Sequence, residues 1–375
     1  MKKVFLFSTA LLFFSLPFHT AVKYIALALF FLSGVFIIIK KKSFKMDLLN
    51  LILLGFGIET LISGLLYTNE LKRVFYAEKD LWIIISGFLI YRSVYLNKDD
   101  ILKFIVLPLV ISSVVLFFCG LYKYYVLHDY FKYHLFTTIN RSAIYATLSF
   151  AFILPFIEDT KGNMKYLFLT GLVFIVLTLE FLASRNAMFA AIVILMVYFI
   201  YFSKANLKFK FILLFIVLFS FVIVYLSYDW LGIKIDMFTK LPYRWYIWKA
   251  GLDSYFETGN YMLGIGTNNF RSIDLTPYIT GWFEYVGSGH NLFLEILVEN
   301  GIIGLLFYIT FLIGVILKLK SYKDRNNVFF KIAVLILITH ILTAMTETNL
   351  MKEHGFLFLS LLGLSIGKLE QKWKK

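Results

Sequence analysis

The chain has 375 residues, of which 60% are hydrophobic and 16% charged, with a mean hydropathy of +0.80. Soluble domains run at about 25% charged and about 45–50% apolar residues, so the composition excludes an ordinary soluble fold and predicts an all-α integral membrane protein. The net charge of +14 does not point to nucleic acid, because Lys and Arg form short clusters between apolar runs, at 40–42, 204–210, 318–325 and 368–375. That distribution belongs to a membrane protein that keeps its basic loops in the cytoplasm, against anionic lipid headgroups.

A spanning helix takes about 20 largely apolar residues. In chain order the apolar runs predict spans near 3–18, 21–39, 47–67, 76–95, 101–126, 141–158, 165–183, 186–203, 210–229, 290–317, 328–347 and 353–369, twelve in all. Met1-Lys2-Lys3 and the apolar stretch behind it resemble a signal peptide. No small-residue cleavage site follows and a second apolar run begins at once, so the segment reads as a retained first helix, turning at His19-Thr20. With an even count, both termini and all the basic clusters share the cytoplasmic side. The other side then carries short loops near 68–75, 128–140, 184–186 and 348–352, and one long segment, 230–289. No repeat and no linker divides the chain. It reads as a single polytopic membrane domain over 1–375 with a large external (periplasmic) loop at 230–289 bearing amphipathic helices.

Within that loop, residues 241–252 read as an amphipathic helix, with Pro242 suited to its first turn. Trp245, Trp248, Leu252 and Tyr255 recur at helical spacing and give it an aromatic face for the membrane interface, with Arg244 one turn before Trp248. Gly264-Ile265-Gly266 reads as a tight turn, and its backbone N–H groups beside Arg271 are candidates to face a phosphate. Gly287-Ser288-Gly289-His290-Asn291 closes the loop, and a helix starts at Leu292. The positive end of a helix disfavours an imidazolium, so His290 is placed to stay neutral and serve as a general base. Arg185, between two apolar helices, and Arg141, opening another, read either as interfacial anchors or as ligands for an anion. Glu59, Glu180, Glu295 and Glu299 fall in or near spans, where carboxylates are functional candidates, and Glu180 is near enough in sequence to orient Arg185. His134, His340 and His354 are scattered without metal-ligand spacing.

One arrangement is more specific. His290-Asn291, nine residues (292–300), then Gly301-Ile302-Ile303-Gly304 resembles the His-Asn-x9-Gly-x-x-Gly signature of O-antigen ligases. These belong to the O-antigen ligase/polymerase superfamily of bacterial membrane glycosyltransferases. Ala183-Ser184-Arg185-Asn186-Ala187 and the Arg–Trp helix with its Gly-x-Gly turn across 244–270 extend the likeness over roughly 140–310. The family's Arg-x3-Leu element is met by Arg271 and Leu275, whereas Arg244 reaches Trp248 at that spacing. The resemblance implies a GT-C-like fold in the bacterial inner membrane, with cytoplasmic termini and a periplasmic active site. It implies inverting transfer of glycan from undecaprenyl diphosphate to a lipid A–core hydroxyl, without metal, ATP or other cofactor. His290, Arg185 and Arg244 would be catalytic, and Arg271, Arg141, Asn291 and Trp248 would bind substrate. An O-antigen or exopolysaccharide polymerase is the alternative within the superfamily. A lipid or solute transporter is a more distant one.

Overall fold

A computed structural model describes residues 1–18, 21–67, 71–126, 139–182, 184–203, 215, 241–278, 287–322, 324–348, 350 and 352–372. The expected turn at 19–20, the expected span 210–229 apart from residue 215, and positions 230–240 and 279–286 of the long loop lie outside them. Among the described residues the regular elements are all helical. In order they are α1 (Lys2–Ser15), α2 (Ala21–Lys41), α3 (Leu48–Tyr67), α4 (Leu71–Ser93) and α5 (Lys98–Ile101), which runs through a π turn into α6 (Leu107–Val126). Then come α7 (Ile139–Ile153), α8 (Phe156–Asp159), α9 (Asn163–Leu182), α10 (Arg185–Val197), α11 (Leu241–Glu257), α12 (Leu292–Lys320), α13 (Val328–Ala344) and α14 (Lys352–Lys372). Six helical stretches are long and apolar enough to cross a membrane, and two shorter ones, 163–179 and 328–344, are apolar. The chain is thus a helical membrane protein.

Local chemistry sets several boundaries. Asn97 and Asp100 form a reciprocal capping box at the start of α5, and Asn327 and Asn291 cap α13 and α12. Lys40 and Lys41 close α2, and Lys318 and Lys320 close α12, where cations meet the negative end of the helix. Two elements differ from expectation. The run 141–158 is broken at Leu154-Pro155, because the proline N–H is missing and its ring crowds the preceding turn. Helix α4 starts at Leu71, five residues earlier than its apolar run, and so carries Lys72, Arg73, Glu78, Lys79 and Asp80 in its first half. That polar half belongs to the site described below.

Helices α4 and α14 approach each other closely. The pair closes through small residues, which bring backbones together where lipid offers no hydrophobic driving force. A Cβ on Gly363 would lie 2.5 Å from the Phe88 carbonyl oxygen, and one on Gly367 would lie 2.6 Å from that of Arg92. One end of this pair is tied by charge. The buried Arg92 guanidinium donates to Asp47, to Asn50 Oδ1 at 2.7 Å and to Glu370, which also meets Lys318 at 2.9 Å. The basic cluster at that end is therefore partly spent on structure.

Helix α12 is two helices joined at a break. Gly301 has φ +64° and ψ −165°. Ile302 N donates to Tyr261 O at 3.0 Å and Ile303 N to Met262 O at 3.2 Å, outside the helix. The carbonyls this leaves over, Val298 O and Glu299 O, accept from Ile265 N and Gly266 N, each at 2.9 Å. The segment 261–266 is spliced into the broken helix by this exchange, so that no backbone group is stranded. Residues 292–300 become a separate piece about 13 Å long at 1.5 Å per residue. With 29 residues in all, α12 exceeds the ~20 a span requires, and the short piece accounts for the excess.

Leucine at Gly363 would press Cβ into a backbone carbonyl that cannot step aside. Gly363→Leu is expected to cost at least about 1–3 kcal/mol, as overpacking does, and to lower the melting temperature of the detergent-solubilised protein. Leu32→Ala, at a position 73% exposed, is expected to leave it unchanged.

Candidate functional site

The short piece of α12 begins at a residue held from both sides. Asn291 Oδ1 accepts Leu294 N at 3.1 Å, which caps the helix. Gly289 donates its N–H to Glu295 Oε2 at 2.5 Å, and its carbonyl accepts Trp248 Nε1 at 2.9 Å. Between these anchors His290 has φ +49°, a left-handed conformation uncommon for a residue with a Cβ and of the kind that clusters at functional sites. Trp248 comes from α11, which packs its own small core of Ile247, Tyr255, Phe270 and Leu275. There the Tyr278 hydroxyl donates to Asp253 Oδ2 at 2.7 Å, and losing that proton beside a carboxylate pushes the phenol up to about 12.

The His290 side chain meets Glu347, in the turn between α13 and α14. His290 Nδ1 is 3.1 Å from Glu347 Oε2. The other oxygen, Oε1, accepts Arg244 Nη2 at 3.0 Å and the side-chain amide of Asn140, at the start of α7. The Glu347 side chain is only 12% exposed, against 30% for Arg244 and 32% for His290. Three donors from three separate parts of the chain thus converge on one half-hidden carboxylate.

Around this cluster opens a cavity of ≈ 500 Å³. Its wall takes Tyr76 and Asp80 from α4, Asn140 and Arg141 from α7, and Arg271 from a 3-10 turn at Phe270–Ser272. His290, Glu295, Glu299 and Glu347 complete its charged lining, beside His354 of α14. Of the residues expected from the sequence, His290, Arg141 and Arg271 stand in this wall, and Arg244 reaches it through Glu347. Arg185 is exposed at the first turn of α10, outside the wall. It flanks the cluster through Ser184, whose Oγ lies 3.4 Å from Asn140 Oδ1. Asn291 and Trp248 spend their polar groups on the helix cap and on the Gly289 carbonyl.

The 264–266 segment is the tight turn that its glycines suggested, and its N–H groups do not face a phosphate. Gly264 N donates to Asn260 O, and the next two N–H groups are used in the α12 splice, so the segment is a structural turn. The Glu180 side chain lies outside the described residues, so its expected pairing with Arg185 does too. Glu299 Oε1 accepts Phe270 N at 2.9 Å, which places the Arg271 turn on α12. Glu347 itself was missed. Its signal was present, an acidic residue just beyond an apolar helix, the same feature that singled out the other four glutamates.

The class is then a multi-helix membrane protein with a cationic and acidic cavity at one end of its bundle, around a histidine at a helix start. Residues 166–309 match the family model described as O-antigen ligase. That segment of the chain is similar to the domain of that family, and both the His290 motif and α11 lie inside it. A comparison with curated proteins gives no match.

A Cβ on Gly301 would lie 2.3 Å from the Met262 carbonyl oxygen, on a backbone already at positive φ. Gly301→Ala is therefore expected to cost more than the ~1 kcal/mol of an ordinary Gly→Ala mismatch. Thermal unfolding in detergent checks this, and limited proteolysis should cut first within 259–289.

Proposed function

We propose that this protein is a glycosyltransferase of the O-antigen ligase type, acting at the periplasmic face of a bacterial inner membrane. It moves glycan from undecaprenyl diphosphate to a hydroxyl of lipid A–core. The observation that carries the reading is the joining of His290, Glu347 and Arg244 beside a cavity that Arg141 and Arg271 also line. In this reading the twelve spans, the cytoplasmic termini and the external loop 230–289 stand as expected from the basic clusters.

The chemistry asks for a base and a cradle for a leaving diphosphate. With Nδ1–H donated to Glu347, the His290 tautomer is fixed and Nε2 is the acceptor. The acceptor hydroxyl oxygen forms a bond to the anomeric carbon from the side opposite the diphosphate. The bond from that carbon to the phosphate oxygen breaks, its electron pair leaves on the diphosphate, and the hydroxyl proton passes to Nε2. The configuration inverts. Arg141 and Arg271 are placed to take the diphosphate oxygens, which guanidinium groups bind in pairs while staying charged. Arg244 and Arg185 add positive charge beside them. This stabilisation of the departing anion is the larger part of the catalysis. Neither step calls for a metal or a nucleotide.

A positioned general base is worth about 10²–10⁴-fold. His290→Ala is expected to abolish decoration of lipid A–core at unchanged protein level, read on lipopolysaccharide gels. Normal decoration in that strain ends the proposal. Deleting the gene separates the two superfamily activities: loss of a ligase leaves no repeat unit on the core, and loss of a polymerase leaves one. Glu347→Gln keeps the shape but removes the charge opposite the imidazolium that forms, so its transfer rate is expected to fall by about 10-fold or more, as when an orienting partner is lost.

A further inference from the structure

The α4 part of the cavity wall has no place in the mechanism above. Tyr76, Ala77 and Asp80 line it together. They share one helix face, since residues four apart on a helix are neighbours. Tyr76 is 59% exposed, and Ala77 between them is small enough to leave the floor clear. The start of α4 is fixed to the turn that carries Arg271: Arg73 Nη1 donates to Ser272 Oγ at 2.7 Å, and Asn268 Nδ2 to the Arg73 carbonyl at 3.2 Å. The tyrosine and the aspartate are therefore held in register with a cationic wall. Lys79 flanks both, 3.6 Å from Asp80 and 5.3 Å from the Tyr76 ring centre, in an exposed pair of the kind that contributes little.

The charges of the cavity limit what can fill it. Asp80, Glu295, Glu299 and Glu347 all line it. A ligand anionic along its whole length is repelled by this lining, and a wholly neutral one gains nothing from Arg141 and Arg271. The occupant that fits has an anionic part and a neutral, hydroxyl-rich part. An exposed aromatic ring packs against the C–H face of a sugar ring, and a carboxylate accepts hydrogen bonds from its hydroxyls. We propose that Tyr76 and Asp80 form a saccharide subsite, holding a sugar ring of the donor or of the acceptor beside the diphosphate. The proposal rests on the transferase reading.

The test uses the full chain in lipid nanodiscs, with undecaprenyl-diphosphate-linked repeat unit and lipid A–core extracted from the source strain. KM is measured for each substrate in Tyr76→Ala, Tyr76→Phe and Asp80→Asn, with His290→Ala alongside. Tyr76→Ala and Asp80→Asn are expected to raise KM about tenfold for one substrate, with kcat within about twofold of the parent. Tyr76→Phe, which keeps the ring, is expected to restore KM. A rise for the donor places the donor sugar in the subsite, and a rise for the acceptor places the acceptor sugar there. Unchanged KM for both substrates in the isosteric Asp80→Asn and in Tyr76→Ala overturns the subsite, even when His290→Ala is inactive and the transferase reading stands. Should His290→Ala transfer normally, the transferase reading itself falls.

Discussion

Everything at the working end of this bundle depends on the Glu347 carboxylate having partners. A buried carboxylate without them is strongly disfavoured, and the cost is removed only when donors come to it. Here they come from positions 207, 103 and 57 residues away, as Asn140, Arg244 and His290. The start of α7, the first turn of α11 and His290, two residues before α12, must all reach one point. A charge needing three partners fixes this convergence more tightly than apolar packing does, because apolar contacts tolerate sliding and a hydrogen-bonded ion does not. In the proposed mechanism the same interaction also sets the tautomer of His290.

The break at Gly301 gives that convergence its shape. An unbroken helix would carry His290 at its tip and leave 261–266 to find partners elsewhere. By passing two backbone N–H groups outward and taking two inward, α12 binds the segment 261–266 without stranding a polar group. The nine-residue interval between His290 and the glycines then has a physical meaning: it is the length of the short helix that sets the histidine above the splice. Gly304, one turn on, faces Glu59, since a Cβ there would come within 2.7 Å of Glu59 Oε2. The second glycine of the motif thus makes room for a buried carboxylate.

Much of this was legible from residue types and spacing. The apolar runs marked the helices, because lipid demands continuous apolar stretches of fixed length. The His-Asn-x9-Gly-x-x-Gly pattern marked the histidine, whereas the break at Gly301 inside the expected span 290–317 was not read from it. What was not legible has two physical causes. A helix lining a cavity on one side need not be apolar along its length, so the first turn of α4, with Lys72 and Arg73, fell outside its apolar run, and Tyr76 and Asp80 within that run were not singled out. And a carboxylate is defined by its partners, which for Glu347 lie far away in sequence. The Gly264-Ile265-Gly266 segment was legible as a tight turn, but the partners of its N–H groups were not, because spacing alone cannot tell an external anion from an internal carbonyl.

The arginines of the bundle divide by what neutralises them. Arg92, buried at the far end, faces two carboxylates and an amide, and its charge is used up in holding α3, α4 and α14 together. Arg244 stands between structure and function, for its ion pair with Glu347 is also what links α11 to the histidine. An incoming diphosphate would have to compete with Glu347 for Arg244, while Arg271 is exposed at the cavity and set there by the bond from Phe270 N to Glu299. The element that follows the family's Arg-x3-Leu spacing is therefore also the one whose guanidinium is better placed for an anion. Within the proposed mechanism, that favours Arg271 over Arg244 as the direct contact to the leaving group, and gives Arg244 the task of keeping Glu347, and through it His290, in place.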